Sequence, residues 1–251
     1  MERIKVQQLN AHIFSMDDAG EAVGYLVVGE KKALVIDTMN GYEDVKAVVR
    51  SITDLPLMVV NTHGHCDHIF GNIYFEEAYL HPLDMELAQQ HSCFDDFVSA
   101  IKKRGLRMPP FHPIEHGDVI DLGGLTVEVI HLPGHTQGSI LLLLREDRVL
   151  FTGDAINTHL WMQLETSSSP QDFLQALDKV MYLKDQADYI LHGHYGQFLP
   201  VSLMDRLREG VLELCRGETG EDQDYPYFGG GAIAKQHLYD GGKALIVYPK
   251  K

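Results

Sequence analysis

The sequence predicts an α+β domain in which two β-sheets are flanked by helices. Apolar runs of strand length cluster toward both ends of the chain, helical periodicities lie between and after them, and Gly, Asp and Pro punctuate the junctions. The 251 residues are 45% hydrophobic and 23% charged, ordinary values for a chain that buries a substantial core. No low-complexity stretch or Pro/Ser-rich linker divides it, so residues 1–251 read as one domain.

Ile4-Lys5-Val6, His12-Ile13-Phe14, Gly24–Val28 and Ala33–Ile36 read as strands, with Gly29-Glu30-Lys31-Lys32 as the turn between the last two. Val45, Val48, Val49 and Ile52 have helical spacing, which predicts a short helix over 42–52 leading into a strand at 57–61. Tyr79-Leu80 reads as a strand end, followed by helices near 82–90 and 93–104. Arg107 to Pro113 carries three prolines and reads as irregular. In the second half, Leu125–Ile130, Ile140–Leu144 and Val149–Phe151 are strands. Phe173, Leu174, Leu177, Val180 and Met181 form a helical stripe over 170–183, entered through Ser169-Pro170. Tyr189-Ile190-Leu191 is a strand and 201–215 an amphipathic helix. Ile233–Tyr239, Asp240-Gly241-Gly242 and Ala244–Tyr248 read as a closing hairpin.

Charge narrows the function. The 21 basic and 36 acidic residues give −15, which argues against nucleic acid or an anionic membrane as partner. Cys66, Cys93 and Cys215 are odd in number and widely spaced, as expected of reduced thiols in a cytoplasmic protein. The first residues lack the apolar core of a signal peptide, and no segment approaches a membrane span.

The 14 histidines are concentrated where chemistry would need them. Thr62-His63-Gly64-His65-Cys66-Asp67-His68 follows directly on Leu57-Met58-Val59-Val60, so a strand runs into a loop dense in metal ligands. The same arrangement recurs at Val129 to Ser139 with His131 and His135, at Leu150-Phe151-Thr152-Gly153-Asp154, and at Ile190-Leu191-His192-Gly193-His194. With Asp37 after Leu34-Val35-Ile36 there are five such junctions, each beside Gly, Pro or a short polar turn.

In order and approximate spacing across residues 24–196, these motifs resemble those of the metallo-β-lactamase superfamily of metal-dependent hydrolases. The resemblance implies a four-layer αββα sandwich of two similar halves, with the metal site at one edge between the sheets. It implies that His63, His65 and His135 bind one metal, that Asp67, His68 and His194 bind a second, and that Asp154 bridges them. Two zinc ions suit these donors, with iron or manganese as the other candidates. The expected function is hydrolysis of a small carbonyl substrate (ester, lactone or thioester) by a bridging hydroxide, with Asp67 relaying a proton.

Asp37 is expected to orient the loop or a ligand imidazole, as the matching aspartate does in the superfamily. His194 is favoured over His192 because the superfamily's last motif places its ligand directly after the glycine. Cys66 reads as a packed thiol. His12, His81, His91, His112, His116, His131 and His237 read as surface or hydrogen-bonded histidines, and Lys102-Lys103-Arg104 as a solvated helix face. Trp161 and Met162, just after Asp154, are expected to wall the substrate pocket. Phe94, Phe97 and Met108-Pro109-Pro110-Phe111 would form the opposite lip, and aromatic Tyr225 to Gly231 would fold over the site or link helix to hairpin. The rival activities are a mononuclear-iron oxidoreductase of the same fold, similar to persulfide dioxygenases, and a phosphodiesterase.

Overall fold

The computed structural model describes residues 3–226 and 234–250. A seven-stranded sheet takes the first half of the chain. In it β1 (Ile4–Gln8), β2 (Ile13–Asp18), β3 (Val23–Val28), β4 (Ala33–Ile36), β5 (Leu57–Val60), β6 (Ala78–Leu80) and β7 (Phe111–Pro113) lie in sequence order. Pairing is antiparallel up to β4 and parallel beyond it. Between these strands run α1 (Val45–Arg50), the single turn α2 (Cys66–Ile69), α3 (Met85–Ser92) and α4 (Asp95–Lys103).

The second sheet contains β8 (Val119–Asp121), β9 (Thr126–His131), β10 (Ile140–Leu144) and β11 (Val149–Gly153). After β12 (His159–Trp161), which belongs elsewhere, it is completed by β13 (Tyr189–His192) and β14 (Tyr195–Pro200), in the order β14-β13-β11-β10-β9-β8. Helices α5 (Pro170–Val180) and α6 (Leu203–Arg216) cover its outer face. A third sheet, in which β15 (Gln223–Tyr225), β16 (Ala234–Tyr239) and β17 (Ala244–Pro249) join β12, packs on α6.

Side-chain alternation explains the layering. All five residues of β10 are buried. Ile140, Leu142 and Leu144 enter the core between the two large sheets, opposite Leu34, Ile36 and Val60, while Leu141 and Leu143 meet α5 and α6. In β4, Leu34 and Ile36 face the other sheet and Ala33 and Val35 face α1. Helix, sheet, sheet and helix thus stack as four layers, the αββα sandwich the motifs implied.

Five strands escape the sequence patterns. Phe111–Pro113, expected to be irregular, is an edge strand parallel to β6, and its proline sits at the last, edge position, where no ladder is interrupted. Residues 159–161, expected to be a loop, pair with β17 as β12. β8 and β15 have three residues each, too few for periodicity to register, and the mostly exposed β14 was also unmarked. Tyr227 to Ile233 lie outside the described residues.

Ser169 caps α5 by accepting the Asp172 N–H, and Pro170 opens its first turn. The helix then delivers Phe173, fully buried, beneath the loop that carries His135; a Cβ at Gly134 would stand 2.3 Å from Phe173 Cδ2. Phe173→Ala should therefore lower unfolding free energy by about 3–5 kcal/mol. Urea denaturation of chelator-treated protein measures this; a loss under about 1 kcal/mol would show that the site collapses around the missing ring.

Candidate metal centre

The chain leaves β5 at Val60 and turns through Asn61 to His65 into α2. Asn61 and Thr38 fix this turn: the Asn61 amide donates to the His68 carbonyl at 2.8 Å, and the Thr38 backbone N–H does so at the same distance. Asp37, at φ +58, ends β4 alongside. Its carboxylate accepts three hydrogen bonds, from Thr62 N–H at 2.7 Å, the Thr62 hydroxyl at 2.7 Å and His68 Nδ1 at 2.8 Å. The aspartate therefore orients both the loop and an imidazole.

His63 Nε2 and His135 Nε2 lie 3.0 and 2.9 Å from His65 Nδ1. The hydrogen bonds behind these rings assign the tautomers. His135 Nδ1 donates to the Trp161 carbonyl at 2.7 Å. His63 Nδ1 lies 3.1 Å from the Thr62 hydroxyl, whose own proton goes to Asp37, so the imidazole is the donor. His63 and His135 hence turn lone pairs inward, toward each other and His65. Burial lowers the proton affinity of all three, and the neighbouring imidazoles lower that of His63 and His65 further.

A second group adjoins it. His194 Nδ1 donates to the Glu21 carbonyl at 2.9 Å, leaving Nε2 facing Asp154 Oδ2 at 3.0 Å and Asp67 Oδ2 at 3.6 Å. His68 Nε2 stands 3.6 Å from Asp67 and 3.7 Å from Asp154. Burial alone would lower His68, but Asp67, Asp37 and Asp154 together push it up to about 10; Asp154 pushes His194 up to about 9. His68 Nε2 and Asp154 Oδ1 are buried without a hydrogen-bond partner. Unpartnered buried donor atoms among converging lone pairs and carboxylates are the environment that a cation satisfies.

Among the described residues, three sets have ligand atoms within 4.8 Å of one another: His63–His65–His135, His63–His68–Asp154 and Asp67–His68–His194. All seven expected ligands are thus brought together, with Asp154 between the two outer sets. His192 is in none of them. Its Nδ1 accepts the His194 N–H at 3.2 Å, and burial lowers it to about 4. Gly193 has to be glycine: an added Cβ would lie 2.5 Å from His68 Cε1 and 2.6 Å from Asp154 Oδ1.

Other expectations fare unevenly. Trp161 is half-buried, and its carbonyl holds His135. Met162, expected to share the pocket wall, is fully buried in the core with α5 and α6. The reason is β12 itself, whose extended backbone sends neighbouring side chains to opposite sides. Phe94 and Phe97 lie near the site: His65 stacks on His91 at 5.3 Å, His91 meets Phe94 at 4.8 Å, and Phe97 stacks on Phe70. Met108 and Phe111 instead pack around Ile69, Leu80 and Ala88, away from a lip. Cys66, Cys93 and Cys215 are free thiols, and burial, then Asp67, pushes Cys66 up to about 11. His12 pairs with Asp147, His237 with Asp222 and Glu213, and His81 stacks on His131, none within a ligand set.

Two positioning residues carried no sequence signal. His91 Nδ1 accepts the Cys66 N–H at 2.9 Å and so steadies the start of α2. Asp84 is buried and joins two motif loops, accepting from Gly64 N–H at 2.8 Å, the Thr136 hydroxyl at 2.7 Å and Gly138 N–H at 2.7 Å.

A sequence model of the metallo-beta-lactamase superfamily matches residues 18–194, a span containing all seven candidate ligands. The chain belongs to the metallo-β-lactamase superfamily. Within the metallo-β-lactamase superfamily it is 30% identical over 200 residues to the acyl-coenzyme A thioesterase MBLAC2 of Gallus gallus, covering 69% of this chain and 72% of the relative. It is 28% identical over 193 residues to the atrochrysone carboxyl ACP thioesterase of Passalora fulva, covering 73% of this chain and 52% of the relative. Among solved structures, a metallo-beta-lactamase from Pontibacter korlensis superposes with a TM-score of 0.66 at 18% identity, over 83% of this chain and 99% of that one. That likeness establishes the fold, and the superfamily match together with the thioesterase relatives marks this chain as a hydrolase.

Two measurements check this geometry. Asp84→Ala leaves three donors unsatisfied between the loops of His63 and His135, and should weaken metal binding by about 10–100-fold in a chelator competition; unchanged affinity would assign Asp84 to folding alone. Metal-free protein should lose stability as pH falls from 6.5 toward about 4, because His192 takes up a proton there only on unfolding. In His192→Asn that part of the stability curve should flatten, as read by denaturant midpoints across pH.

Proposed function

We propose that the chain hydrolyses acyl thioesters at a dinuclear metal site. The carrying observation is the pair of donor sets that meet at Asp154, with ligand atoms of each set within 4.8 Å. Similarity to two thioesterases points to the bond. His63, His65 and His135 hold one ion and Asp67, His68 and His194 the other, with Asp154 shared and zinc the best match to so many imidazoles. Ions bound there supply an acidified water and a Lewis acid for the thioester carbonyl.

The chain's own groups do the rest. Asp37, Thr62 and the Trp161 and Glu21 carbonyls fix the ligand tautomers, so the imidazoles need no rearrangement. Asp67 has a side chain 30% exposed, more than Asp154 at 11%, and is the carboxylate placed to pass a proton to solvent. A thiol of ordinary acidity, pKa about 8.5, departs as thiolate without a strong acid, unlike the amine of an amide. Burial, then Asp67, pushes the Cys66 thiol up to about 11, which disfavours it as a nucleophile.

The acyl group lies between two aromatic lips. On one, the Trp161 indole N–H donates to His159 Nε2 at 3.1 Å, and the Tyr225 hydroxyl meets the same nitrogen at 3.0 Å. On the other, Phe94 leans on His91. The substrate is a small molecule, and three free thiols suit a reducing compartment such as the cytoplasm. Among the described residues no helix is long and apolar enough to cross a membrane.

Purified protein should contain about two zinc ions per chain by elemental analysis and cleave acyl thioesters. Dominant iron with oxygen-dependent turnover would replace this reading with the persulfide-oxidising one. Asp154→Ala should empty one site and cut turnover by about two orders of magnitude. Trp161→Ala should raise KM with metal content unchanged; a large drop in thermal stability with kcat/KM intact would place Trp161 in the core instead.

A further inference from the structure

We infer that the exposed stripe formed by Phe94, at the N-cap of α4, and by Val98 and Lys102 on the helix, together with Lys103 and Arg107, binds the coenzyme A portion of the substrate. The apolar part takes the pantetheine arm and the cations take the nucleotide phosphates. This rests on the thioesterase reading.

Helix α4 divides its apolar residues between two duties. Ile101 is buried, and Phe97 stacks on Phe70 with ring centroids 3.7 Å apart. Phe94 and Val98 remain 47% and 40% exposed. Residues 94, 98 and 102 recur every four positions, so the two exposed apolar groups and Lys102 share one helical stripe. Its near end touches the metal centre through the rings of His91 and His65. Its far end lies about 12 Å further along the helix, at 1.5 Å per residue. An extended pantetheine arm, whose sulfur must sit at the metals and whose phosphates must sit away from them, has the reach for such a track.

The charge pattern selects an anion. In a chain of net charge −15, residues 97–114 contain no Asp or Glu and hold Lys102, Lys103, Arg104 and Arg107. Arg104 is engaged, lying over the Tyr74 ring at 5.2 Å and donating to the Gly41 carbonyl. Lys102, Lys103 and Arg107 are exposed and form no ion pair among the described residues. Cations in the last turn complement the helix dipole, but that does not account for apolar side chains left open beside them. An amphiphilic ligand with an apolar-to-neutral arm and a polyanionic head matches both.

The test compares one acyl group carried on coenzyme A and on N-acetylcysteamine, which lacks the phosphates, using the metal-loaded full chain. In Lys102→Gln/Lys103→Gln/Arg107→Gln, kcat/KM for the coenzyme A thioester should fall by about tenfold, carried by KM, while the N-acetylcysteamine thioester is unaffected. Calorimetry should show free coenzyme A binding the wild type more tightly than pantetheine does, with added salt and the triple variant each removing the difference. Phe94→Ser should weaken both ligands. Equal kcat/KM of the triple variant and wild type on the coenzyme A thioester would overturn the phosphate site and leave the thioesterase reading in place. Loss confined to thioesters of an acyl carrier protein would also overturn it, since the surface would then read a protein. Wild type that cleaves neither small thioester overturns the reading and this site together.

Discussion

Three donors converge on the carboxylate of Asp37, all of them from the segment 62–68 that carries four of the candidate ligands. A buried carboxylate is costly unless each oxygen is satisfied, and here Thr62 and His68 satisfy both oxygens. The same bonds settle which nitrogen of His68 faces the candidate ligand cluster and, through the Thr62 hydroxyl, which nitrogen of His63 does. One side chain at the end of β4 thus sets the orientation of two imidazoles on the next loop. The backbone accommodates it with a left-handed turn at Asp37, a conformation aspartate tolerates better than branched residues do.

Half of the centre comes from each large sheet, so its geometry depends on how the sheets are joined at that edge. Ile140 N–H donates to the Thr62 carbonyl, and Val23 N–H to the Gly193 carbonyl at 2.7 Å. The Tyr25 hydroxyl donates to the carbonyls of His192 and Tyr195, and Asp84 ties the Gly64 loop to Thr136 and Gly138. These cross-sheet bonds sit over the interdigitated aliphatic core, which keeps the sheets from sliding. Positioning of the ligands is therefore a property of the sandwich as well as of the loops.

What could be read from the sequence followed the range of the signal. The candidate ligand motifs are local: His63 to His68 occupy one turn after one strand, and the His135, Asp154 and His194 loops repeat the device, so a short stretch of sequence is enough to single out each of these side chains. Long strands were legible too, since Ile140–Leu144 fills two cores at once and reads as an unbroken apolar run. Asp84 was not, because its partners lie 20, 52 and 54 residues away and no spacing marks it. Trp161 and Met162 were read as a loop pair and assigned one role. Trp161 ends β12 and Met162 follows it with its N–H donating to the Val247 carbonyl, so the two side chains take opposite sides and Met162 lies in the core. The pairing with β17 that makes His159–Trp161 a strand spans most of the second half of the chain.

The acidity of the chain and the anionic nature of a coenzyme A thioester pull in opposite directions only on the scale of the whole molecule. At the centre, Asp37, Asp67 and Asp154 gather three negative charges, which the two divalent cations proposed for this site would overcompensate. Ions held there would favour a polarised carbonyl and a departing thiolate, since the surrounding side chains are buried. At a distance, the repulsion of a chain at −15 is cut down by salt within about a Debye length. Binding an anion under these conditions needs cations concentrated at its point of entry. Residues 97–114, which hold four basic residues and no carboxylate in so acidic a sequence, are the stretch that meets this requirement for the proposed anion, and Phe94, which precedes them, leans on His91 beside the candidate ligand His65.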